Sequence, residues 1–278
     1  MTPTCEPPAP DALHEVLAHG ELTVVGRIRS ASNATFLCEA DLHGRTVHCV
    51  YKPVAGEAPL WDFPDGTLAD REFSAYLVSA ELGWNLVPYT IIRDDAPAGR
   101  GMLQCWVDQP GDAAGEAPPP GPDLVDVVPA GQVPAGYLAV LQAYDYAGNE
   151  VVLVHADDPR LRRLAVFDVV INNADRKGGH ILAGTDGRVY GVDHGVTLHA
   201  EDKLRTVLWG WAGKPVDDEH LHDLARLAER LRDGFADRLR AHLTEREVTA
   251  LRDRVAALLD NPVMPTPDRP RPIPWPAF

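Results

Sequence analysis

Residues 171–181 read INNADRKGGHI, and residues 191–195 read GVDHG. The run before the first of these, DPRLRRLAVFDVVINN (158–173), places Leu161, Leu164, Phe167, Asp168 and Ile171 near one face at helical spacing, so the quoted stretch leaves a helix. Asp175 stands at that exit, Gly178 and Gly179 permit a tight turn, and His180 opens the strand HILAG. The turn signal TDGR then leads into RVYGVDHG, the second arm of a hairpin. Such a hairpin brings Asp193 back beside Asp175 and His180. Two carboxylates and an imidazole in that arrangement suit Mg²⁺, which takes carboxylate and phosphate oxygens and keeps several waters. The spacing therefore points to a phosphate-handling site.

Working outward, Asp11 is placed to cap a helix, ALHEVLAH, that Gly20 ends. The runs LTVVGRI (22–28), ATFLCEADL (34–42) and RTVHCVYK (45–52) predict an antiparallel meander. Thr67 and Asp70 resemble a capping box, and Leu68, Phe73, Leu77 and Leu82 continue at helical spacing to Gly83. VPYTII (87–92) and GMLQCWV (101–107) are two more strands. Residues 108–123, DQPGDAAGEAPPPGPD, are too rich in Pro and Gly for regular structure and mark a lobe boundary or a surface insertion. Beyond them EVVLVHA (150–156) is a strand, and residues 217–260 are helical, with Thr244 and Glu247 offering a second capping box. The expected organisation is an N-terminal lobe over 1–108, a linker or insertion over 109–123, a C-terminal lobe over 124–262 and a Pro-rich, extended tail over 263–278.

The 278 residues carry 26 Lys and Arg against 41 Asp and Glu, a formal charge of −15, so the average surface repels phosphate backbones and anionic bilayers. Nucleic acid and stable membrane association are not expected. The basic cluster RLRR (160–163) reads as a solvated helix face. Cys5, Cys38, Cys49 and Cys105 form no CxxC pair, which argues for reduced, mostly buried thiols rather than a zinc or dithiol centre. With no leader pattern at the N-terminus and no apolar run near the ~20 residues a membrane span needs, the expected location is cytoplasmic.

The order DRKGGH followed by VDHG resembles the catalytic loop and metal-binding segment of the protein-kinase-like superfamily, in the atypical branch of phosphatidylinositol 3- and 4-kinases and HipA-type kinases. Over roughly residues 20–260 the chain is similar to an actinobacterial group related to phosphatidylinositol kinases. The resemblance implies an α+β, bilobal kinase-like fold, with a small antiparallel-sheet N-lobe carrying one main helix and a mostly helical C-lobe. It also implies ATP and Mg²⁺ as cofactors. Asp175 would orient or deprotonate an acceptor hydroxyl, with Arg176 beside it among the catalytic residues, and Asp193 would hold Mg²⁺ against the β- and γ-phosphates. His180 takes the place of the usual metal-binding Asn, a softer donor than an amide oxygen. Lys52 ends the third strand and Glu72 lies in the next helix, in the order of the ion pair that fixes the phosphate-clamping lysine. Ser30, Ser32 and Asn33 in RSASNATF would replace the glycine-rich loop. Gln104, Trp106 and Val107 fall at the interlobe hinge that contacts adenine.

Each of these residues also has a plain structural reading: a surface lysine, a solvated helix glutamate, a turn aspartate, a structural histidine at 194. Their joint order is what favours an ATP-dependent phosphotransferase acting on a protein or small-molecule acceptor. In HGVTLHAEDKLRTVLWGWAGKPV (194–216), Lys203, Arg205 and Lys214 are offset by Glu201 and Asp202 and by Asp217 and Asp218 just beyond it, which disfavours a lipid acceptor. Trp209 and Trp211 read as packing aromatics ahead of an acceptor-docking surface. The rival readings are a nucleotide-binding pseudokinase, a nucleotidyl transferase, and a transition-metal hydrolase using Asp175, His180, Asp193 and His194.

Overall fold

The computed structural model describes residues 10–28, 33–111 and 123–278. Helix α1 (Pro10–His19) precedes a sheet whose first strands are β1 (Glu21–Arg27), β2 (Phe36–Leu42) and β3 (Arg45–Pro53). Helix α2 (Leu68–Leu82) follows, and then β4 (Thr90–Arg93) and β5 (Gly101–Cys105). The sheet is antiparallel in the order β1-β2-β3-β5-β4, so the last hairpin inserts β5 against β3 and sets Lys52 opposite Met102. α1 buries Val16 and Leu17 on Cys38, Ala40, Cys49 and Tyr51. It begins at Pro10, which puts Asp11 inside the helix instead of at its cap. Burial pushes the thiols of Cys38, Cys49 and Cys105 up to about 11, 12 and 12, leaving them protonated and inert at neutral pH.

α2 starts where Thr67 Oγ1 accepts the Asp70 N–H at 3.0 Å, and ends at Gly83, whose φ of +74° favours glycine. Its Ala75, Leu77, Val78 and Leu82 belong to the main core with the C-terminal helices, so this helix joins the two lobes. A buried charge strengthens the joint. Arg71 donates to the carbonyls of Thr197 and Asp65, each at 2.9 Å, and to Glu247 at 2.6 Å. Glu247 also accepts the Thr244 N–H at 2.9 Å, completing the capping box expected there.

Helix α3 (Pro159–Ile171) is capped by Asp158, and the hairpin of β9 (Ile181–Ala183) and β10 (Val189–Gly191) stands where its turn signal placed it. Residues 217–260 resolve into α4 (Asp218–Arg230), α5 (Gly234–Arg240) and α6 (Glu245–Asp260). The fold is thus mixed, with an antiparallel-sheet lobe and a mostly helical lobe.

Several local expectations change. The strand placed at 87–92 begins only at Thr90, because Ser79 Oγ takes the N–H groups of Leu86 and Val87 and turns that segment away from the sheet. β5 stops at Cys105, before Trp106 and Val107. Ahead of α3 lies a second sheet of order β6-β8-β7, in which β6 (Val125–Pro129) and β7 (Tyr137–Tyr144) flank β8 (Glu150–Ala156). Only β8 was read from the sequence. The arginines of RLRR are ion-paired to Asp158, Asp217 and Glu219. Trp209 and Trp211 are buried, donating to the Pro272 carbonyl at 2.9 Å and to Asp157 at 3.0 Å. The extended tail is docked: Met264 exchanges backbone hydrogen bonds with the Gly213–Lys214 turn, and Arg269 meets Asp202 at 2.6 Å. No helix among the described residues is long and apolar enough to cross a membrane.

Arg71→Met strands the Glu247 carboxylate in the interlobe core, and removal of one partner from a buried pair typically costs about 3–5 kcal/mol. Urea unfolding should record a loss of that size. A loss below about 1 kcal/mol would mean that the pair does not join the lobes.

Candidate active site

The site is built on the exit from α3. Asn172, at φ +52°, ends the helix in the left-handed region, and the chain turns into the loop holding Asp175. Asp168, one turn back and fully buried, organises that loop: its carboxylate accepts from Asn173 Nδ2 at 3.0 Å, from Arg176 Nε and Nη2 at 3.1 and 3.0 Å, and from Thr206 Oγ1 at 3.1 Å. Asn173 Oδ1 in turn accepts the Asp175 N–H at 3.0 Å. Arg176 reaches the carbonyls of His180 and Val192 at 3.2 and 3.1 Å and lies 2.7 Å from His194 Nε2. One guanidinium therefore ties the loop to both ends of the hairpin.

This revises the role expected for Arg176. The side chain is fully buried with its donors engaged, so it fixes the geometry of Asp175 and cannot meet a substrate. The sequence reading also gave no role to Asn173 and Thr206, and left Asp168 as one more residue on a helix face. An acid among Leu164, Phe167 and Ile171 was the available signal, because a charge on an apolar face requires a buried partner.

Across the cleft, Lys52 Nζ donates to Glu72 Oε1 and, at 2.7 Å, to Asp193 Oδ1. The other Glu72 oxygen accepts the His194 N–H at 2.9 Å, so strand β3, helix α2 and the segment after β10 meet at one carboxylate. The Lys52 and Glu72 side chains are 19% and 2% exposed and that of Asp193 51%, which leaves Asp193 as the member open to the cleft. Burial alone would lower the Lys52 ammonium, but Asp193 and Glu72 outweigh it and raise its pKa. The same ammonium holds the Asp193 carboxyl well below the usual carboxylate range. Asp193 adopts φ +59°, uncommon for a residue with a side chain and frequent at functional positions.

His180 Nε2 lies 3.3 Å from Asp193 Oδ2, and its Nδ1 is buried without a partner among the described residues. Burial pushes this imidazole down to about 4, so at neutral pH it is uncharged. Asp193 and His180 fit a hard divalent cation that takes the rest of its shell from phosphate and water. Among the described residues no three His, Cys, Asp or Glu side chains converge tightly enough to enclose a metal by themselves. His194 is turned toward Arg176 and packs edge-on to Phe167, away from any shared metal with Asp193.

A cavity of about 300 Å³ collects Asn33, Lys52, Glu72, Asp175 and Asp193 with Glu57, Asp62, Phe63 and Arg205. Asn33 Oδ1 accepts the Ala58 N–H at 2.8 Å, pinning the end of the β1–β2 loop. Ser30 and Ser32 lie outside the described residues. Gln104, Trp106 and Val107 do not line this cavity. Gln104 is buried and gives Nε2 to Thr90 Oγ1 at 2.9 Å, so its amide belongs to the sheet and not to a ligand. Trp106 is partly exposed just past β5, and the following Asp108 carbonyl accepts the Thr185 N–H of the β9–β10 turn at 2.9 Å, where the sheet lobe meets the hairpin.

This architecture is that of a protein-kinase-like fold. The solved Golgi casein kinase aligns with TM-score 0.52 at 12% identity, over 90% of this chain and 73% of that one. The Golgi casein kinase solved with Mn/ADP bound aligns with TM-score 0.56 at 12% identity, over 90% and 74%. No family model matches the sequence. Protein Rv2133c of Mycobacterium tuberculosis is 69% identical over 268 residues, 96% of each chain, and the present chain belongs to the same family.

The tail closes one side of the loop that carries Asp175. Gly178 N donates to the Ala277 carbonyl at 2.8 Å, and a Cβ at Gly178 would stand 2.4 Å from Phe278 Cε1. The Phe278 ring is 50% exposed and can swing aside, so Gly178→Ala should cost less than about 1 kcal/mol in denaturant unfolding. A larger loss would mean that the tail is held rigidly on the loop.

Proposed function

We propose that this cleft is the active site of an ATP-dependent phosphotransferase acting on a hydroxyl of a protein or small-molecule acceptor. The nucleotide would lie between the lobe of residues 1–108 and that of residues 124–262. The observation that carries the reading is Lys52 held between Glu72 and Asp193 in a cavity that Asp175 also lines. The Golgi casein kinase structure with Mn/ADP bound supports it at the level of fold. The finer placement we propose, beside phosphatidylinositol 3- and 4-kinases and HipA-type kinases, rests on the order DRKGGH then VDHG.

Lys52 has three donors and two are in use, so arriving phosphate oxygens have a third to take and can displace Asp193 from another. Glu72 keeps the ammonium aimed into the cleft during that exchange. Asp193 and His180 are the residues that would hold a divalent cation; when bound, Mg²⁺ or Mn²⁺ neutralises charge building on the phosphate oxygens. Asp175 receives the acceptor hydroxyl and takes its proton as the acceptor O–P bond forms and the bond from the γ-phosphorus to the bridging oxygen breaks, releasing ADP. Arg176 and Asn173 hold Asp175 in place for that step. Most of the acceleration comes from positioning and electrostatics.

Intact-mass measurement after incubation with Mg²⁺-ATP and a broad acceptor panel tests the reaction class. Phosphate gained by the protein or an acceptor is the expected result, and Asp193→Ala should abolish it while the fold survives. Gain of a nucleotide would replace the reading with nucleotidyl transfer. Tight nucleotide binding with no product on any acceptor would leave a regulatory module.

Asp175 gives a second test. Burial raises its carboxyl above the ordinary aspartate value, Lys177 at 3.3 Å pulls it down, Asp193 pushes it up and Arg205 lowers it further. The proton acceptor must be ionised, so the rate should fall on the acid side through the Asp175 pKa. Lys177→Met removes the larger of the two lowering influences, and the acid limb of kcat/KM should move to higher pH. A limb that stays in place or moves to lower pH would take Asp175 out of the proton transfer.

A further inference from the structure

The cavity wall contains charges of both signs, and nearly all of them are matched. Lys52 joins Glu72 and Asp193, Asp175 faces Lys177 at 3.3 Å, and Asp62 faces Lys203 at 3.7 Å. Glu57 accepts the N–H groups of Leu68 and Ala69 at the start of α2, at 2.9 and 2.8 Å. Arg205 differs. It is partly buried in this wall, its guanidinium makes no hydrogen bond or close ion pair among the described residues, and its charge acts on the Asp175 carboxyl, which it lowers. Its place is nevertheless tightly set: the Arg205 N–H donates to the Asn173 carbonyl at 2.8 Å, and its carbonyl accepts the Arg176 N–H at 3.0 Å. The side chain therefore springs from a segment laid against the loop on both sides of Asp175, with no tie to the strand that carries Lys52.

A guanidinium with no anion in contact keeps its planar donor fork free for a carboxylate or phosphate. The chain's charge of −15 repels anions in general, so a cation beside Asp175 with its fork unoccupied is a selective feature of the site. We propose that Arg205 reads the acceptor, binding a carboxylate or phosphate that the acceptor carries close to the hydroxyl received by Asp175. This rests on the phosphotransferase reading for its place in catalysis. Arg205 is a specificity residue that touches the acceptor away from the reacting oxygen, and the acceptor class is an anionic alcohol: a serine or threonine flanked by acidic residues, or a phosphorylated or carboxylated small polyol.

Two arms separate those sources and two readouts separate this proposal from the one beneath it. Transfer from ATP is measured on serine peptides flanked by Glu, by phosphoserine or by Gln, and on glycerol 3-phosphate against glycerol. The unmodified protein should favour the anionic member of one arm at least ten-fold in kcat/KM. Arg205→Gln should raise KM for that acceptor at least ten-fold while KM for ATP stays within two-fold, and Arg205→Glu should reverse the preference toward Lys-flanked peptides. The same probes are titrated calorimetrically without nucleotide, where Arg205→Gln should weaken the anionic probe and leave the neutral one unchanged. Transfer whose charge preference survives Arg205→Gln, or an Arg205→Gln protein impaired chiefly in KM for ATP, overturns the proposal. Arg205-dependent binding without transfer on any acceptor would leave the anion site standing and defeat the phosphotransferase reading. Absence of both binding and transfer would defeat both.

Discussion

One ammonium group holds this molecule's functional geometry together. Lys52 ends the third strand, Glu72 comes from the helix that joins the lobes, and Asp193 follows the hairpin of the other lobe, so their contact fixes three distant parts of the chain at one point. Sheltering a lysine and a glutamate together costs desolvation that their attraction only partly returns. The arrangement is therefore poorly explained as a stabilising device. It makes sense where the exposed third member, Asp193, and the spare lysine donor face something that arrives from solvent.

A second buried charge acts behind the first. Arg176 and Asp168 never reach the cleft, yet the elements around Asp175 and Asp193 lean on them: the loop of Asp175, both ends of the hairpin and the segment of Thr206. The two networks meet at His194, whose backbone N–H serves Glu72 and whose ring faces Arg176. With Arg71 and Glu247 tying α2 to α6, the lobes are joined by polar contacts as well as by the shared apolar core.

Much of this was legible in the residues. The turn signals around 175–195 located the helix exit and the hairpin because glycine pairs and TDGR report local backbone demands, which sequence carries directly. Lys52, Glu72, Asp175 and Asp193 were singled out by their order, and they line one cavity. Arg176 was misjudged because neighbours in sequence at a helix exit can face opposite ways, and only the buried Asp168 reveals which one turns inward. Gln104 was misjudged similarly, since alternation along β5 does not say that Thr90 takes its amide. The sheet of β6, β7 and β8 was only one-third visible: β7, YLAVLQAY, lacks a clean alternation, and β6 is short and ends in proline. The docking of the tail on Gly178 depends on a contact between residues 100 positions apart, which no local pattern records.

The central claim is that Lys52 waits for the phosphates of a nucleotide. Calorimetric titration of ATP in the presence of Mg²⁺ into the unmodified protein and into Lys52→Met tests it most directly. The account predicts cation-dependent binding that weakens at least ten-fold, about 1.4 kcal/mol, on loss of the ammonium. Equal affinity in the two proteins would contradict it.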